Sequence, residues 1–373
     1  MSTNPRIYLD FNATAPLGAH VRAAMTRAME DPGNPSSIHA EGRRARDHVE
    51  RARDQVARFA GRPREQLIFT SGGTEGNVLG VLGLAAVAEQ RGLPRVVAAA
   101  AIDHPSLRGA VAALGTRGWR IQPIGVTAGG ALEAGALDGT GVVAVAVVNH
   151  ELGTIADRQI IAAARAAGAL VHVDAVQAAG KLALGEIDAD ALVVSAHKLG
   201  GPQGIGAVAL AHDAGLPLFD ADHQERGRRP GTENTLGIVG FGAAAAHAEL
   251  ASWPAVAALG ERLEAGLRAM AGVRIHGAGT PRIGGTINAG FAGARGESIV
   301  IALDLVGVAV STGAACTSGS VQASPVLLAL GLSPDEAREA VRFSLGRSTT
   351  AGEIDAVLER LPAIVARARA HRA

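Results

Sequence analysis

The sequence predicts an α/β protein with two domains: a large domain built on a mainly parallel seven-stranded sheet covered by helices, and a smaller α+β domain. From about residue 40 to 245, short apolar runs alternate with helical patterns, which is typical of parallel strands connected by helices. The apolar runs are nearly continuous, as expected for strands buried on both faces. Apolar residues make up 48% of the chain and charged residues 19%, a balance typical of a folded globular protein.

Seven segments are the candidate strands of the large sheet. In chain order they are QLIFT (66–70), RVVAAA (95–100), WRIQPI (119–124), VVAVAVV (142–148), ALVHVDA (169–175), ALVVSA (191–196) and GIGAVAL (204–210). Helical patterns lie between several of these strands, at 74–91, 104–117 and 157–168. An arginine-rich stretch at 41–61 interleaves acidic and apolar residues, and we interpret it as a helix with a solvated face.

A second series of elements follows a long Ala-rich helical region at about 234–270. It contains strands at 273–277, 284–291, 308–312 and 341–346, a helix near 296–307, two helical stretches between 322 and 340, and a closing helix from about 350. This order predicts a large domain over residues 15–250 and a small domain formed by residues 1–14 and 251–373.

The composition excludes several classes of protein. Lys plus Arg and Asp plus Glu balance at 35 each, so no overall charge favours binding to nucleic acid or to an anionic membrane. A single cysteine excludes an intrachain disulfide and a Cys-rich metal site, and no metal site is predicted. The N-terminus has no signal-peptide pattern, and the longest apolar run, 142–148, is too short to span a membrane. The cytoplasm is therefore the expected compartment.

Polar residues with possible chemical roles follow two of the buried strands. Lys198 lies in SAHKLGGPQGIG (195–206), where its amine either forms an imine with an aldehyde cofactor or simply begins a loop. Asp174 ends another strand, with Gln177 three residues further on. The carboxylate of Asp174 suits a protonated pyridine nitrogen, although an Asp at this position is also a common cap of the following turn.

Three further strand ends carry candidate ligand-binding residues. The segment IFTSGGTEGNVLG (68–80) leads from a strand through glycines into a helix, which is either an anion cradle or an ordinary helix cap. His104 in DHPS either stacks on a flat ring or caps a helix, and Asn149 follows strand 142–148. Open α/β sheets bind ligands at the carboxyl ends of their strands, so the five segments together favour a cofactor site.

Ten segments occur in an order that resembles the cysteine desulfurase family, the class V aminotransferase-like branch of the fold-type-I enzymes that depend on pyridoxal phosphate (PLP). They are YLDFNATAP, GNPSSIHAEGRRAR, IFTSGGTEGN, DHPS, VVNHELGTI, HVDAVQAAGK, SAHKLGGPQGIG, QERGRRPGTEN, STGAACTSG and VRFSLGRSTTAGEID. The resemblance runs nearly from end to end. It implies the fold-type-I architecture, PLP as cofactor and L-cysteine as substrate.

The resemblance also implies roles for individual residues. Lys198 would form the imine with PLP, Asp174 would pair with the pyridine nitrogen, and Gln177 would hydrogen-bond the phenolic oxygen. His104 would stack on the ring and assist proton transfer. The other implied cofactor and substrate residues are Gly73, Thr74, Ser195 and His197 for the phosphate, Thr232 for the phosphate of a neighbouring subunit in a homodimer, and Asn149 and Arg342 for the substrate carboxylate, with Asn149 also beside the cofactor.

Cys316, the only cysteine, would be the sulfur acceptor. Its thiolate would attack the sulfur of L-cysteine, leaving L-alanine and a persulfide for transfer to an acceptor protein whose identity the sequence does not give. The 26-residue spacing from Cys316 to Arg342 resembles the branch with a long cysteine loop, which is associated with nitrogen fixation and general iron–sulfur assembly. The alternative activity is that of a selenocysteine lyase or another PLP-dependent β-lyase.

The sequence departs from the family pattern at three places. Asp103 stands where the family usually has Glu, and His150 stands where it usually has a second Asn. The segment 221–227 lacks the usual Gly-Gly before Gln-Glu, which leaves the shape of the loop before Thr232 open. Iron–sulfur clusters and modified nucleic acids are both possible destinations of the sulfur.

Overall fold

The computed structural model describes residues 6–133, 135–211, 222–313 and 322–370, so Cys316 lies outside the described residues. Within these ranges the strands are β1 (Ile7–Tyr8), β2 (Leu67–Thr70), β3 (Val96–Ala100), β4 (Arg120–Val126), β5 (Leu132–Glu133), β6 (Val142–Ala146), β7 (Leu170–Asp174), β8 (Ala191–Ser195), β9 (Gly206–Leu210), β10 (Val273–His276), β11 (Thr286–Phe291), β12 (Val308–Ala309) and β13 (Ala340–Ser344). The helices are α1 (Ala19–Ala28), α2 (Ala40–Ala60), α3 (Gly73–Gln90), α4 (Pro105–Gly115), α5 (Arg158–Ala166), α6 (Thr235–Ala246), α7 (Trp253–Arg268), α8 (Gly296–Leu305), α9 (Pro325–Ala329), α10 (Pro334–Ala337) and α11 (Ala351–Ala370).

The large sheet has the strand order β2-β9-β8-β7-β6-β3-β4-β5. The strands from β8 to β4 pair in parallel, whereas the β2–β9, β9–β8 and β4–β5 pairs are antiparallel. The seven strands predicted from the sequence all occur in this sheet, and the mainly parallel α/β fold is confirmed. The additional strand β5 has two residues and pairs only with the end of β4, so it is too short to give an apolar pattern.

Alternate residues of the central strands belong to two apolar cores, one on each face of the large sheet. In β6, for example, Val143 and Val145 belong to one core, while Val142 and Ala144 belong to the other. This period of two is what burial on both faces requires. No helix in the described ranges combines the length and the apolar character needed to cross a lipid bilayer.

The register of the central strands brings their carboxyl ends side by side. Ala146 of β6 pairs with Asp174 of β7, and Asp174 pairs with Val193 of β8. Because these strands are parallel, the segments that follow them leave the sheet at the same edge. The polar residues predicted at separate strand ends therefore start from one common edge of the sheet.

A three-stranded antiparallel sheet with the order β10-β11-β13 lies in the C-terminal part of the chain, where α11 packs against α7 and α8. Strand β1 pairs in parallel with β12, so the N-terminal segment joins these C-terminal elements. The domain boundaries at residues 14 and 250 stay a prediction.

The Ala-rich region at 234–270 forms two helices, α6 and α7, rather than one continuous helix. Pro254 lies in the first turn of α7, where its missing N–H breaks no hydrogen bond, whereas in the interior of a longer helix it would remove one. The proline therefore explains why the helical pattern is interrupted although the composition stays apolar.

Helix α2 carries a buried ion pair that its solvated, arginine-rich pattern does not predict. The guanidinium of Arg53 donates to both carboxylate oxygens of Glu225, at 2.9 and 2.7 Å, and both side chains are almost fully buried. Glu225 also accepts a hydrogen bond from the amide of Phe69 in β2. Glu225 and Arg226 have left-handed backbone angles, with φ of 47° and 58°, which cost energy for residues with a side chain. The ion pair offsets that cost.

We expect the substitution Arg53→Met to lower the free energy of unfolding by about 3–5 kcal/mol, because it leaves the Glu225 carboxylate buried without its cation. Urea denaturation followed by circular dichroism measures this loss. Arg58→Met is the matched control, since Arg58 is an exposed residue of the same helix that bonds only to the Asp54 carbonyl. A loss for Arg53→Met no larger than that for Arg58→Met contradicts the expectation.

Candidate active site

A cavity of about 640 Å³ lies at the carboxyl ends of the central strands. Most of the residues singled out from the sequence line it. They are Gly73, Thr74, His104, Asp174, Gln177, Ser195, His197, Lys198 and Arg342. Ser311, Gly313 and Gln322, which flank the segment containing Cys316, line the same cavity. Cys316 itself lies outside the described residues.

Lys198 ends a 3-10 turn that follows β8 directly. Its ammonium donates hydrogen bonds to the backbone carbonyls of Asn12 and Ala13, and no carboxylate of the described residues forms an ion pair with it. Burial lowers the pKa of Lys198 to about 8, and the positive charge of Arg342 acts in the same direction. A lysine with such a pKa presents a substantial fraction of uncharged, nucleophilic amine near neutral pH.

Asp174 is held in place by two N–H donors. Its two oxygens accept hydrogen bonds from the amide of Val176 at 3.0 Å and from the side-chain nitrogen of Asn77 at 2.8 Å. The side-chain oxygen of Asn77 faces Nε2 of His172 at 3.0 Å. Burial lowers the pKa of His172 to about 3, so this imidazole is neutral and donates through Nε2. The side chain of Asp174 is thus oriented by two N–H donors.

Asn77 also links Asp174 to His104, and the sequence reasoning missed it. Its side-chain nitrogen donates to the Ser106 hydroxyl at 2.9 Å, and that oxygen lies 2.7 Å from Nδ1 of His104. Asn77 lies one turn into α3, four residues after Gly73. This spacing, which puts two residues on one helix face, is the signal in the sequence that points to it.

His104 caps the N-terminus of α4, where its Nδ1 accepts from the Ser106 amide at 3.2 Å. Its ring meets the ring of His150 edge to face, with centroids 5.0 Å apart. Burial lowers the pKa of His104, and the charges of Lys198 and Arg108 add to this effect. A neutral imidazole with one nitrogen bound locally leaves its other nitrogen available at the cavity.

The N-terminus of α3 forms an open cradle on one wall of the cavity. The helix begins at Gly73, and no side chain caps its first N–H groups. A Cβ at Gly73 would lie 2.9 Å from the side chain of Val176, so a larger residue here would require Val176 to move. Ser195 and His197 also line this cavity, and uncapped helical N–H groups beside hydroxyl and imidazole donors suit a bound anion.

Arg342 reaches the cavity from β13. Its Nη1 donates to the His150 carbonyl at 3.0 Å, and its Nη2 donates to Asp10 at 2.8 Å. Its Nε is buried and has no hydrogen-bond partner among the described residues. Because Arg342 lines the cavity and a guanidinium has five N–H donors, it has further N–H groups for an anionic ligand besides these two bonds. Arg108, one turn beyond His104 on α4, is a second lining arginine that the sequence reasoning missed.

The structure does not bring Asn149 to the cavity, although we predicted it beside the cofactor and the substrate carboxylate. Its side-chain oxygen accepts from the amides of Glu151 and Leu152, both at 2.9 Å, and its nitrogen donates to the Ile102 carbonyl at 2.8 Å. Asn149 therefore shapes the turn after β6, and His150, the next residue, lines the cavity instead.

Thr232 lies outside the main cavity and lines a second one of about 230 Å³ with Ser71 and Arg229. Its expected contact with the phosphate of a neighbouring subunit stays a prediction.

Asn12 connects the site residues to one another. Its backbone carbonyl accepts from Gln177 at 3.0 Å and from Lys198, while its side-chain oxygen accepts from Lys181 at 3.2 Å. Its side-chain nitrogen donates to the His150 carbonyl and to Thr286, both at 3.1 Å. The segment YLDFNATAP does not predict a role for Asn12, because a polar residue near the N-terminus gives no sequence signal for partners that are distant in the chain.

The comparison with protein families matches the aminotransferase class-V model over residues 7–357. The chain therefore belongs to the class-V aminotransferase family. Its relatives include cysteine desulfurase 2 of Trichormus variabilis, which is 40% identical over 98% of this chain and 94% of its own. This relative places the chain among the cysteine desulfurases of that family, so the family resemblance read from the sequence motifs is confirmed.

Solved structures agree with this assignment. A NifS-like protein superposes with a TM-score of 0.88 at 30% identity, covering 97% of this chain and 100% of its own. A structure of SspA in complex with cysteine has a TM-score of 0.79 at 27% identity and covers 92% of this chain and 100% of its own. The fold thus extends over nearly the whole length of both proteins.

We expect the amine of Lys198 to titrate near pH 8 in the cofactor-free protein, because burial and Arg342 both disfavour its charged form. Brief acetylation with acetic anhydride at a series of pH values, quantified by mass spectrometry, gives the pH of half-maximal reactivity. The unfolded protein is the control and should show the ordinary lysine value of about 10.4. Half-maximal labelling of folded Lys198 near that ordinary value contradicts the expectation.

Proposed function

We propose that this protein is a cysteine desulfurase that uses PLP to remove sulfur from L-cysteine, giving L-alanine and a persulfide on Cys316. The observation that supports this best is the convergence of Lys198, Asp174, His104 and Arg342 in one cavity. The named relatives are cysteine desulfurases, and one structural neighbour was solved with cysteine.

The residues of the cavity fit the parts of PLP. The uncapped start of α3 with Gly73 and Thr74, together with Ser195 and His197, suits the phosphate. The carboxylate of Asp174 suits the pyridine nitrogen, since an ionised acid favours its protonated form. The amine of Lys198 suits covalent attachment. When bound, PLP supplies an aldehyde for this amine and withdraws electrons from the substrate Cα.

The remaining residues bind the substrate and move its protons. The free N–H of Arg342 would hold the carboxylate of L-cysteine, while Asp10 and the His150 carbonyl keep the guanidinium in place. His104 is neutral because burial lowers its pKa. Its Nδ1 accepts a hydrogen bond from the Ser106 amide, so Nε2 carries the N–H and can donate that proton during proton transfer. Lys198, once released by the substrate, can return a proton as an amine whose pKa is about 8.

Sulfur transfer then takes place at Cys316. Its thiolate attacks the sulfur of L-cysteine, so that an S–S bond forms while the C–S bond breaks. The electron pair of the broken bond stays with the carbon, which takes up a proton and leaves as part of L-alanine. The persulfide remains on Cys316 until a thiol of an acceptor protein takes its terminal sulfur.

We further propose a cytoplasmic homodimer in which Thr232 reaches the cofactor phosphate of the neighbouring subunit. The second cavity, with Thr232, Ser71 and Arg229, supports this assignment because its hydroxyl and guanidinium groups suit a phosphate. Iron–sulfur cluster assembly is the proposed use of the sulfur.

We expect the PLP-loaded protein to convert L-cysteine to L-alanine, and Cys316→Ser to lose this activity by at least about 100-fold because a hydroxyl does not replace a thiolate as nucleophile. Alanine is measured by amino-acid analysis in the presence of a reducing thiol, and cofactor content is measured in parallel. A Cys316→Ser variant that is fully loaded and as active as the parent would show that the protein is another kind of β-lyase.

We expect Arg342→Ala to raise KM for L-cysteine about 100-fold with the cofactor still bound, because a charge-assisted hydrogen bond to the carboxylate is lost. Steady-state kinetics measure KM, and the visible absorption of the protein reports the bound cofactor. Arg262→Ala, which removes an exposed arginine paired with Asp355, is the control. An unchanged KM in Arg342→Ala would assign the carboxylate to another residue.

A further inference from the structure

Lys181 is a second lysine beside the cavity, partly buried, and the proposed reaction does not use it. Its ammonium donates to the side-chain oxygens of Asn12 at 3.2 Å and of Gln177 at 3.1 Å, and it lies 5.3 Å from the centre of the Trp253 ring. Within the described ranges, no carboxylate forms an ion pair with it. A buried ammonium that bonds only neutral groups lowers the stability of the fold. We therefore expect the ammonium of Lys181 to have a function.

Lys181 fixes which end of the Gln177 amide faces the cavity. An ammonium group can only donate, so the side-chain oxygen of Gln177 must point to Lys181. The nitrogen of Gln177 then lies on the other side, where one of its two N–H groups donates to the Asn12 carbonyl at 3.0 Å. Gln177 lines the cavity, and its second N–H is left for a ligand that accepts hydrogen bonds.

The charged groups that act on Lys181 are all cations. Burial lowers the pKa of Lys181 to about 7, and Lys198, Arg342 and Arg347 shift the pKa in the same direction. Arg342 has Asp10 as its partner, whereas Arg347 donates to backbone carbonyls and to Ser252. A negatively charged acceptor at the second N–H of Gln177 would therefore favour the charged form of Lys181.

We propose that Lys181 is a positioning residue of the cofactor site: it holds the Gln177 amide nitrogen toward the phenolic oxygen of PLP and favours the ionised form of that oxygen. This inference rests on the proposed function, since PLP is the ligand. It implies that Lys181 influences the nitrogen that joins Lys198 to the cofactor. A nearby positive charge and a stabilised phenolate both disfavour a proton on this nitrogen.

The test is a pH titration of the visible absorption of the PLP-loaded protein, which reports the protonation of the nitrogen that joins Lys198 to the cofactor. We expect Lys181→Met to raise the pKa of this transition by about one unit, which corresponds to about 1.4 kcal/mol. Lys181→Arg, which keeps the charge and the donors, should restore most of the parent value. A shift of this kind is not produced by a loss of packing alone.

Two further variants make the outcome decisive. Arg347→Met is the matched control, since it removes another cation that bonds the neighbouring Gly180 carbonyl without touching Gln177, and its titration should match the parent. Lys181→Gln, a milder neutral substitution, should shift the pKa in the same direction and replaces Lys181→Met if that variant does not fold. A parent-like pKa in the folded neutral variants, or an equal shift in Lys181→Arg, overturns the inference. Absence of any cofactor absorption in the parent contradicts the proposed function instead.

Discussion

The hydrogen bonds of Asn12 are the constraint on which the site depends. Its peptide and side-chain groups bond Lys181, Gln177 and Lys198 on the side of the large sheet. Its other groups bond Thr286 in β11 and Ser344 in β13, both in the small sheet. One residue thus fixes the large sheet, the small sheet and the N-terminal segment relative to one another. Because Arg342 also lies in β13 and bonds Asp10, it keeps its place relative to Lys198 through the same short segment.

Three side chains of one cavity lie in three different environments. Lys198 loses part of its charge because burial leaves it only backbone carbonyls as partners. Asp174 accepts hydrogen bonds from the N–H groups of Val176 and Asn77. His104 is neutral because burial opposes its protonation. The fold thus places a partly uncharged amine, a carboxyl group bound by N–H donors and a neutral imidazole in one cavity before any ligand binds.

The sequence predicts the large sheet well because its strands are buried on both faces and read as unbroken apolar runs. It also predicts the residues that follow these strands, since parallel strands bring their ends to one edge. It does not predict Asn77 or Asn12, whose importance comes from partners such as Asp174 and Lys181 that lie far away in the chain. Asn149 and His150 both follow β6, and the sequence does not show which of them lines the cavity. The hydrogen bonds of Asn149 to the Glu151 and Leu152 amides form the turn that places His150 there.

The proposed attachment of the cofactor to Lys198 is directly testable, because Lys181 and Lys198 are the only lysines in the chain. Reduction of the PLP-loaded protein with borohydride makes the bond permanent, and peptide mapping by mass spectrometry then locates it. We expect the label on Lys198, with Lys181 unmodified. A label on Lys181 or on the N-terminal amine would contradict it.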